Sequence, residues 1–207
     1  MLSAKKSLII FTRYPEIGKT KTRLIPAIGA EKATDLHRQM TEETLSKVQQ
    51  LKEFLDLDIR IYFVGGNLDL MKGWLGKQYN YYLQIEGDLG LKMYSAFDDT
   101  FIQDNQQVII IGIDCPQLNY HILQEAFVAL NNHDLVIGKA QDGGYYLLGL
   151  NQLNKTLFTN INWGTSQVFS QTMAIANKLK WSVYQLPVLR DIDTPEDLKF
   201  YQHIDSF

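Results

Sequence analysis

Along the chain, compact apolar runs alternate with longer stretches in which apolar side chains recur every three or four positions, the signature of strands alternating with amphipathic helices. Leu8 to Phe11 reads as a short buried strand. Glu31 to Phe54 carries apolar residues at Ala33, Leu36, Met40, Leu45, Val48 and Leu51 with charges between them, which predicts a long amphipathic helix. Ile59 to Val64 is the next strand, closed by Gly65-Gly66; Leu68 to Leu75 is a short helix, and Tyr79 to Ile85 a strand. A helix through Met93, Phe97 and Phe101 follows Gly87-Asp88-Leu89-Gly90. Val108 to Ile113 is an unbroken, largely β-branched run with no polar side, as expected of a strand buried on both faces. Beyond it the pattern predicts a helix over 120–130, a strand over 134–138, and a hairpin at Asp142-Gly143-Gly144 between two apolar strands. A turn at 162–166 leads into a helix ending near Lys180, and Trp181 to Val188 is the last strand. Thr194 as N-cap, Pro195 at the first helical position and Asp197 three after the cap mark a final helix start. The class is therefore α/β: a mixed, mainly parallel sheet with helices on both faces and one strand reversed by the hairpin.

Composition narrows this picture. The 207 residues, 45% of them hydrophobic, suit a single domain spanning 1–207. A formal charge of −3, with 20 basic residues scattered apart from one N-terminal cluster, gives no reason to expect nucleic acid. A small charged ligand fits better. The one cysteine, Cys115, rules out an internal disulfide and suits a reducing cytoplasm; it reads as a small buried side chain, with no histidine in a context that suggests a nucleophile's partner. Lys5 and Lys6 precede too short an apolar run for a secretory signal, and no stretch is long enough to insert in a membrane. The expectation is a cytoplasmic protein.

Candidate chemistry gathers at strand ends. Asp114 follows the central run and precedes Cys115-Pro116, where an open α/β sheet binds its ligands; the structural alternative is that it caps the helix starting near Asn119 or closes the turn. After the first strand come Arg13, Lys19, Lys21 and Arg23 in a loop shaped by Pro15 and Gly18, suited to a di- or triphosphate, unless the cluster is only a solvated loop. Gly18-Lys19-Thr20 invites a Walker A reading, which fails because the required earlier glycine is Arg13. Asp88 is either a helix N-cap or a crevice residue. Asp142, Gly143, Gly144 and Tyr145 are explained by a hairpin, yet an acid, two bare backbone positions and an aromatic also suit a sugar or ribose hydroxyl. Trp163 either stacks on a ligand or packs in the core. His37 reads as packing rather than a ligand. Asp191 and Asp193 precede the last helix cap and are left free for a divalent cation shared with Asp114; magnesium takes only one or two protein carboxylates.

Together these segments resemble a known family. Phe11 through Arg13, Pro15, Gly18 and Lys21-Thr22-Arg23-Leu24, then Gly87-Asp88-Leu89-Gly90, Gly112-Ile113-Asp114-Cys115-Pro116, Asp142-Gly143-Gly144-Tyr145 and Asp191-Ile192-Asp193-Thr194-Pro195-Glu196-Asp197-Leu198 are similar, in order, to the signatures of a bacterial GT-A-like glycosyltransferase family. That family lies in the nucleotide-diphospho-sugar transferase superfamily, and some members are labelled glycosyltransferases of arsenosugar biosynthesis. The resemblance implies a GT-A fold whose first strands bind a nucleotide, with the basic loop on its phosphates. It implies Asp114 and Asp193 as metal acids for Mg²⁺ or Mn²⁺, and residues 142–145 against the sugar or acceptor. Two positions after Asp114 stands Pro116, where many metal-dependent GT-A glycosyltransferases have a second acid; a single acid there looks more like a nucleotidyltransferase.

Three functions follow as expectations. The first is a nucleotide-sugar-dependent glycosyltransferase acting on a small acceptor, with Asp142 positioning or deprotonating the acceptor. The second is a nucleotidyltransferase joining a nucleoside triphosphate to a phosphorylated small molecule. The third is a non-catalytic nucleotide-binding protein, disfavoured because unused charges converging on one crevice would repel one another.

Overall fold

The computed structural model describes residues 5–201. In chain order its elements are β1 (Lys6–Arg13), α1 (Ile25–Ile28), α2 (Ala30–Lys52), β2 (Leu57–Val64), α3 (Leu68–Leu75), β3 (Asn80–Leu83), α4 (Leu89–Phe101), β4 (Gln107–Ile111), α5 (Tyr120–Ala129), β5 (Leu135–Ala140), β6 (Tyr145–Leu150), a 3₁₀ turn (Lys155–Phe158), α6 (Val168–Lys178), β7 (Val183–Leu189) and α7 (Leu198–Tyr201). The seven strands form one sheet in the order β3-β2-β1-β4-β6-β5-β7. Every pairing is parallel except the two made by β6, so the hairpin reverses one strand in a mainly parallel sheet.

The all-apolar centre of the sheet follows from its coverage. Leu8 and Ile10 of β1, with Ile109 and Ile111 of β4, face a core built with α2, α3 and α5. Ile9, Val108 and Ile110 face the opposite core, made with α4, the 3₁₀ turn and α6. Alternate residues thus point to opposite faces, and both faces are dry, so the middle of each strand is apolar and the buried polar side chains, Ser7 and Thr12 of β1 and Gln107 of β4, fall toward its ends. Phe97 and Phe127 are each at most 1% exposed, one on either side of the sheet.

Several boundaries differ from the sequence expectation. β4 stops at Ile111, and Asp114 lies in the turn beyond it. β3 is shorter than the predicted 79–85 strand, because it sits at the sheet edge and pairs only with β2. Asp197 accepts from the Thr194 N–H (2.9 Å), as the cap signature requires, but also from the Thr194 hydroxyl (2.7 Å), which the signature would have accept the Asp197 N–H; these bonds close a turn, and α7 begins only at Leu198. The short α1 and the 3₁₀ turn were not anticipated.

Candidate active site

β1 and β4 are neighbours, yet the chain leaves β1 toward β2 on one side and reaches β4 on the other. That switch point opens a crevice at the carboxyl ends of the strands. A cavity of about 670 Å³ occupies it, lined by the ends of β1, β2 and β4, the residue after β3, the start of the reversed β6, and the first turn of α4. Arg13, Lys19, Lys21, Arg23, Asp114, Tyr145, Asp191 and Asp193 all line it, although they come from four separate parts of the chain.

The basic loop is braced from within. Gly18 adopts φ +80° in its turn, Lys19 N–H donates to the Glu16 carbonyl at 3.0 Å, and Arg13 Nη1 donates to the Lys19 carbonyl. The Lys19 ammonium pairs with the Glu16 carboxylate, whose Oε1 also accepts the Gly66 N–H at 2.9 Å, tying the loop to the end of β2. These bonds hold the Glu16 carboxyl below its ordinary range, the Lys19 bond contributing most. Lys21 adopts φ +46°, a left-handed conformation that costs a non-glycine residue about 1 kcal/mol. Its ammonium is buried, the side chain only 3% exposed, and it donates to Asp114 Oδ1 at 2.5 Å and to the Ile192 carbonyl at 2.5 Å. Arg23 Nη1 meets Asp193 Oδ2 at 2.6 Å in an exposed pair, which contributes little to stability.

The acids are brought together by long-range pairing. The Ile192 N–H donates to the Asp114 carbonyl at 2.8 Å, so the segment after β7 is stitched to the turn after β4. Asp191 accepts the Cys115 thiol at 2.5 Å. Burial pushes the Asp191 carboxyl up to about 6; the thiol bond opposes this, and the nearby Asp142 and Asp114 charges add to it. Burial and the Asp191 charge push the Cys115 thiol up, so it is a donor to Asp191 and no nucleophile. Asn119 caps α5, its side chain accepting from the Ile122 N–H at 3.1 Å, which removes the cap role considered for Asp114.

Other expected residues lie outside the cavity wall. Asp88 caps α4, its Oδ1 accepting the Leu91 N–H at 2.8 Å. Asp142 is exposed at the hairpin tip and its Oδ1 accepts the Gly144 N–H at 2.8 Å. Gly143 and Gly144 shape that tip. Trp163 is half-buried over Gly90, where a Cβ would come within 2.4 Å of the indole, and its ring meets Tyr145 edge-on at 6.5 Å. It therefore supports the Tyr145 wall from behind. Replacing Asp88 by Ala is expected to cost about 1 kcal/mol of stability, lowering the melting midpoint by about 2–4 °C, while leaving the affinity of the cavity for phosphate ligands within about twofold. A tenfold loss in a binding titration would return Asp88 to the phosphates.

The cavity is also lined by His37, which the sequence reads as packing, and by two residues that the sequence reading does not single out. His37, on the buried face of α2, bonds the Arg13 carbonyl through Nε2 at 3.0 Å, and burial lowers its pKa, so it is a neutral donor that fixes the end of β1. Lys92 and Gln84 also line the cavity. A lysine in the first turns of a helix opposes the macrodipole, and that misfit is the signal that would have found Lys92.

The donor set suits a hard divalent cation. No group of three His, Cys, Asp or Glu side chains forms a ready cage among the described residues, but magnesium needs only one or two protein carboxylates, with water and phosphate oxygens completing its shell. Asp114 is 46% and Asp193 38% exposed, both at the cavity. Asp114 and the Ile192 carbonyl already hold a cation between them in the form of the Lys21 ammonium.

A profile of bacterial proteins described as "Uncharacterized protein conserved in bacteria (DUF2064)" matches residues 45–165. The chain belongs to this family. A crystal structure of a proposed nucleotide-diphospho-sugar transferase from Desulfovibrio desulfuricans G20 is 34% identical to this DUF2064 protein, with a TM-score of 0.86 over 93% of this chain and 84% of that one. The 4-diphosphocytidyl-2C-methyl-D-erythritol synthase of Anaerococcus prevotii DSM 20548 is 16% identical, with a TM-score of 0.64 over 99% of this chain and 97% of that one. Glucosyl-3-phosphoglycerate synthase of Mycobacterium tuberculosis, solved with Mn²⁺, uridine diphosphate and glucosyl-3-phosphoglycerate, is 10% identical, with a TM-score of 0.59 over 96% of this chain and 75% of that one. At these lower identities the likeness is one of fold. No curated protein matches the sequence significantly. The DUF2064 protein thus has the GT-A-like fold expected from its motifs. Among its described residues, no helix is long and apolar enough to cross a membrane.

Proposed function

We propose that the cavity binds a nucleotide-sugar with a divalent cation, Mg²⁺ or Mn²⁺, and transfers its glycosyl group to a small acceptor. The observation that carries this reading is the convergence of Arg13, Lys19, Lys21 and Arg23 with Asp114, Asp191 and Asp193 on one cavity at the β1/β4 switch point. About 670 Å³ is in the range of small-molecule and cofactor sites. Asp114 and Asp193 would hold the cation, which when bound would neutralise the diphosphate and assist its departure. The basic loop lies where negative charge grows on the leaving diphosphate, so its cations would stabilise the transition state. Asp142 retains Oδ2 for orienting or deprotonating an acceptor hydroxyl, and Tyr145 offers an aromatic wall to the sugar.

A second reading, nucleotidyl transfer to a phosphorylated acceptor, is favoured by one feature: Asp114 is followed two residues later by Pro116, leaving a single acid in this turn. The same residues would serve, because in-line phosphoryl transfer is mainly positioning and charge neutralisation.

Thermal unfolding with nucleoside triphosphates, nucleoside diphosphates and nucleotide-sugars, with and without Mg²⁺ or Mn²⁺, separates the two. A ligand at about 100 times its dissociation constant adds roughly 2.7 kcal/mol and raises the midpoint by about 5–10 °C. A metal-dependent shift confined to a diphosphate or its sugar conjugate supports glycosyl transfer and names the donor. Preference for a triphosphate supports nucleotidyl transfer. No shift with any of them sinks both.

A further inference from the structure

Lys21 does something that binding phosphate does not require. Its ammonium is turned away from solvent and lodged between Asp114 Oδ1 and the Ile192 carbonyl, 2.5 Å from each. These two oxygens come from the segments that carry Asp114 and Asp193, and the Ile192 N–H to Asp114 carbonyl bond locks those segments together. The backbone of Lys21 is held at φ +46° to make the reach, and the Leu24 N–H bonds its carbonyl at 2.8 Å to secure that turn. We propose that Lys21 is an internal cation occupying the divalent-metal place, so that metal alone is excluded and enters only with a phosphate ligand that draws the ammonium away.

Charge favours this ordering. A divalent cation on Asp114 beside the Lys21 ammonium would set two like charges within a few ångströms in a partly buried site, which weakens the binding of metal alone. The ammonium needs another anion before it leaves, because a desolvated lysine without a partner is costly. Phosphates among Arg13, Lys19, Arg23 and Lys92, which line the same cavity, would supply that anion. The consequence is ordered loading: the acids do not collect free metal, and the metal is bound as a complex with the nucleotide's phosphates.

This inference rests on the metal and phosphate reading above, and calorimetric titration with two probes, Mn²⁺ alone and Mn²⁺-pyrophosphate, tells the two apart. Lys21→Met, which keeps the aliphatic stem, is expected to bind Mn²⁺ alone at least about tenfold more tightly than wild type and Mn²⁺-pyrophosphate more weakly, a reversal of rank. Asp114→Asn added to Lys21→Met is expected to remove the gained Mn²⁺ affinity. If Lys21→Met binds Mn²⁺ no better than wild type while Mn²⁺-pyrophosphate still binds wild type, the internal-cation inference is wrong and the broader reading stands. If neither probe binds either protein, the broader reading falls and takes this inference with it. Should Lys21→Met not fold, the ammonium resonance of Lys21 in ¹⁵N-lysine-labelled wild type decides: Mg²⁺ alone leaves it unmoved under this inference and Mg²⁺-pyrophosphate shifts it, whereas displacement by Mg²⁺ alone overturns it.

Discussion

Asp114→Asn is expected to reduce turnover by about 10³-fold, corresponding to about 4 kcal/mol of lost transition-state stabilisation. Asparagine preserves the shape and one acceptor oxygen, so the Lys21 contact keeps its hydrogen bond and loses its charge. Asp114 is half-exposed but Lys21 is buried, so the lost counter-charge also costs stability, and the variant is expected to melt about 5–10 °C below wild type. What disappears is the negative charge in the turn after β4, on which the proposed metal site and the ion pair with Lys21 both rest. A steady-state assay on the donor identified by thermal shift checks the rate, and a melting curve checks the fold. An activity within about tenfold of wild type would remove Asp114 from the chemistry. Abolished turnover with unchanged nucleotide binding in the absence of metal would locate its role at the cation.

Gly143→Ala is expected to destabilise the protein by about 3 kcal/mol, lowering the midpoint by about 6–12 °C. Gly143 adopts φ +93°, and a Cβ there would lie 2.3 Å from the Ser166 carbonyl oxygen and 2.6 Å from its Cα. Both atoms are backbone, so no side chain can swing aside. The tip is also bonded on both sides, its N–H to the Ala140 carbonyl at 3.2 Å and its carbonyl to the Phe169 N–H at 2.9 Å. An alanine must therefore push the hairpin off the start of α6, and the residue displaced with it is Tyr145, which begins β6 and lines the cavity. Differential scanning calorimetry checks the stability. A midpoint within about 2 °C of wild type would show that the close approach at Ser166 is not maintained in solution. The two glycines of this turn thus shape its tip, Gly143 by its close approach to Ser166 and Gly144 by a backbone bond to Asp142.

How far the sequence carries varies from residue to residue. The Val108–Ile113 run announces a strand covered on both faces because no alternation of polar residues survives there, and β4 is such a strand. The basic loop is legible because four cations beside a strand end, with Pro15 and Gly18 between them, have no core to enter. Asp88 is ambiguous in sequence for a physical reason: a carboxylate before a helix serves equally as cap or ligand, and the choice depends on where its oxygens point. Its bond to the Leu91 N–H resolves that geometry. Trp163 was ambiguous for a similar reason, since burial of an indole depends on having a residue as small as Gly90 opposite it.

By itself the sequence determined the class of the fold, the alternation of strands and helices, the reversed strand at the Asp142 hairpin, and the supply of cations and acids at strand ends. All of these follow from local periodicity, turn chemistry and charge, which act between residues close in the chain. Only the tertiary structure decided which of those charges meet. Lys21 and Asp114 are 93 residues apart, Arg23 and Asp193 170, and Cys115 and Asp191 76. Their encounters are set by a strand order that brings β4 beside β1 and by the return of the chain after β7 to the turn after β4. Nothing local specifies such contacts, because their geometry is fixed by packing the two cores on either face of one sheet.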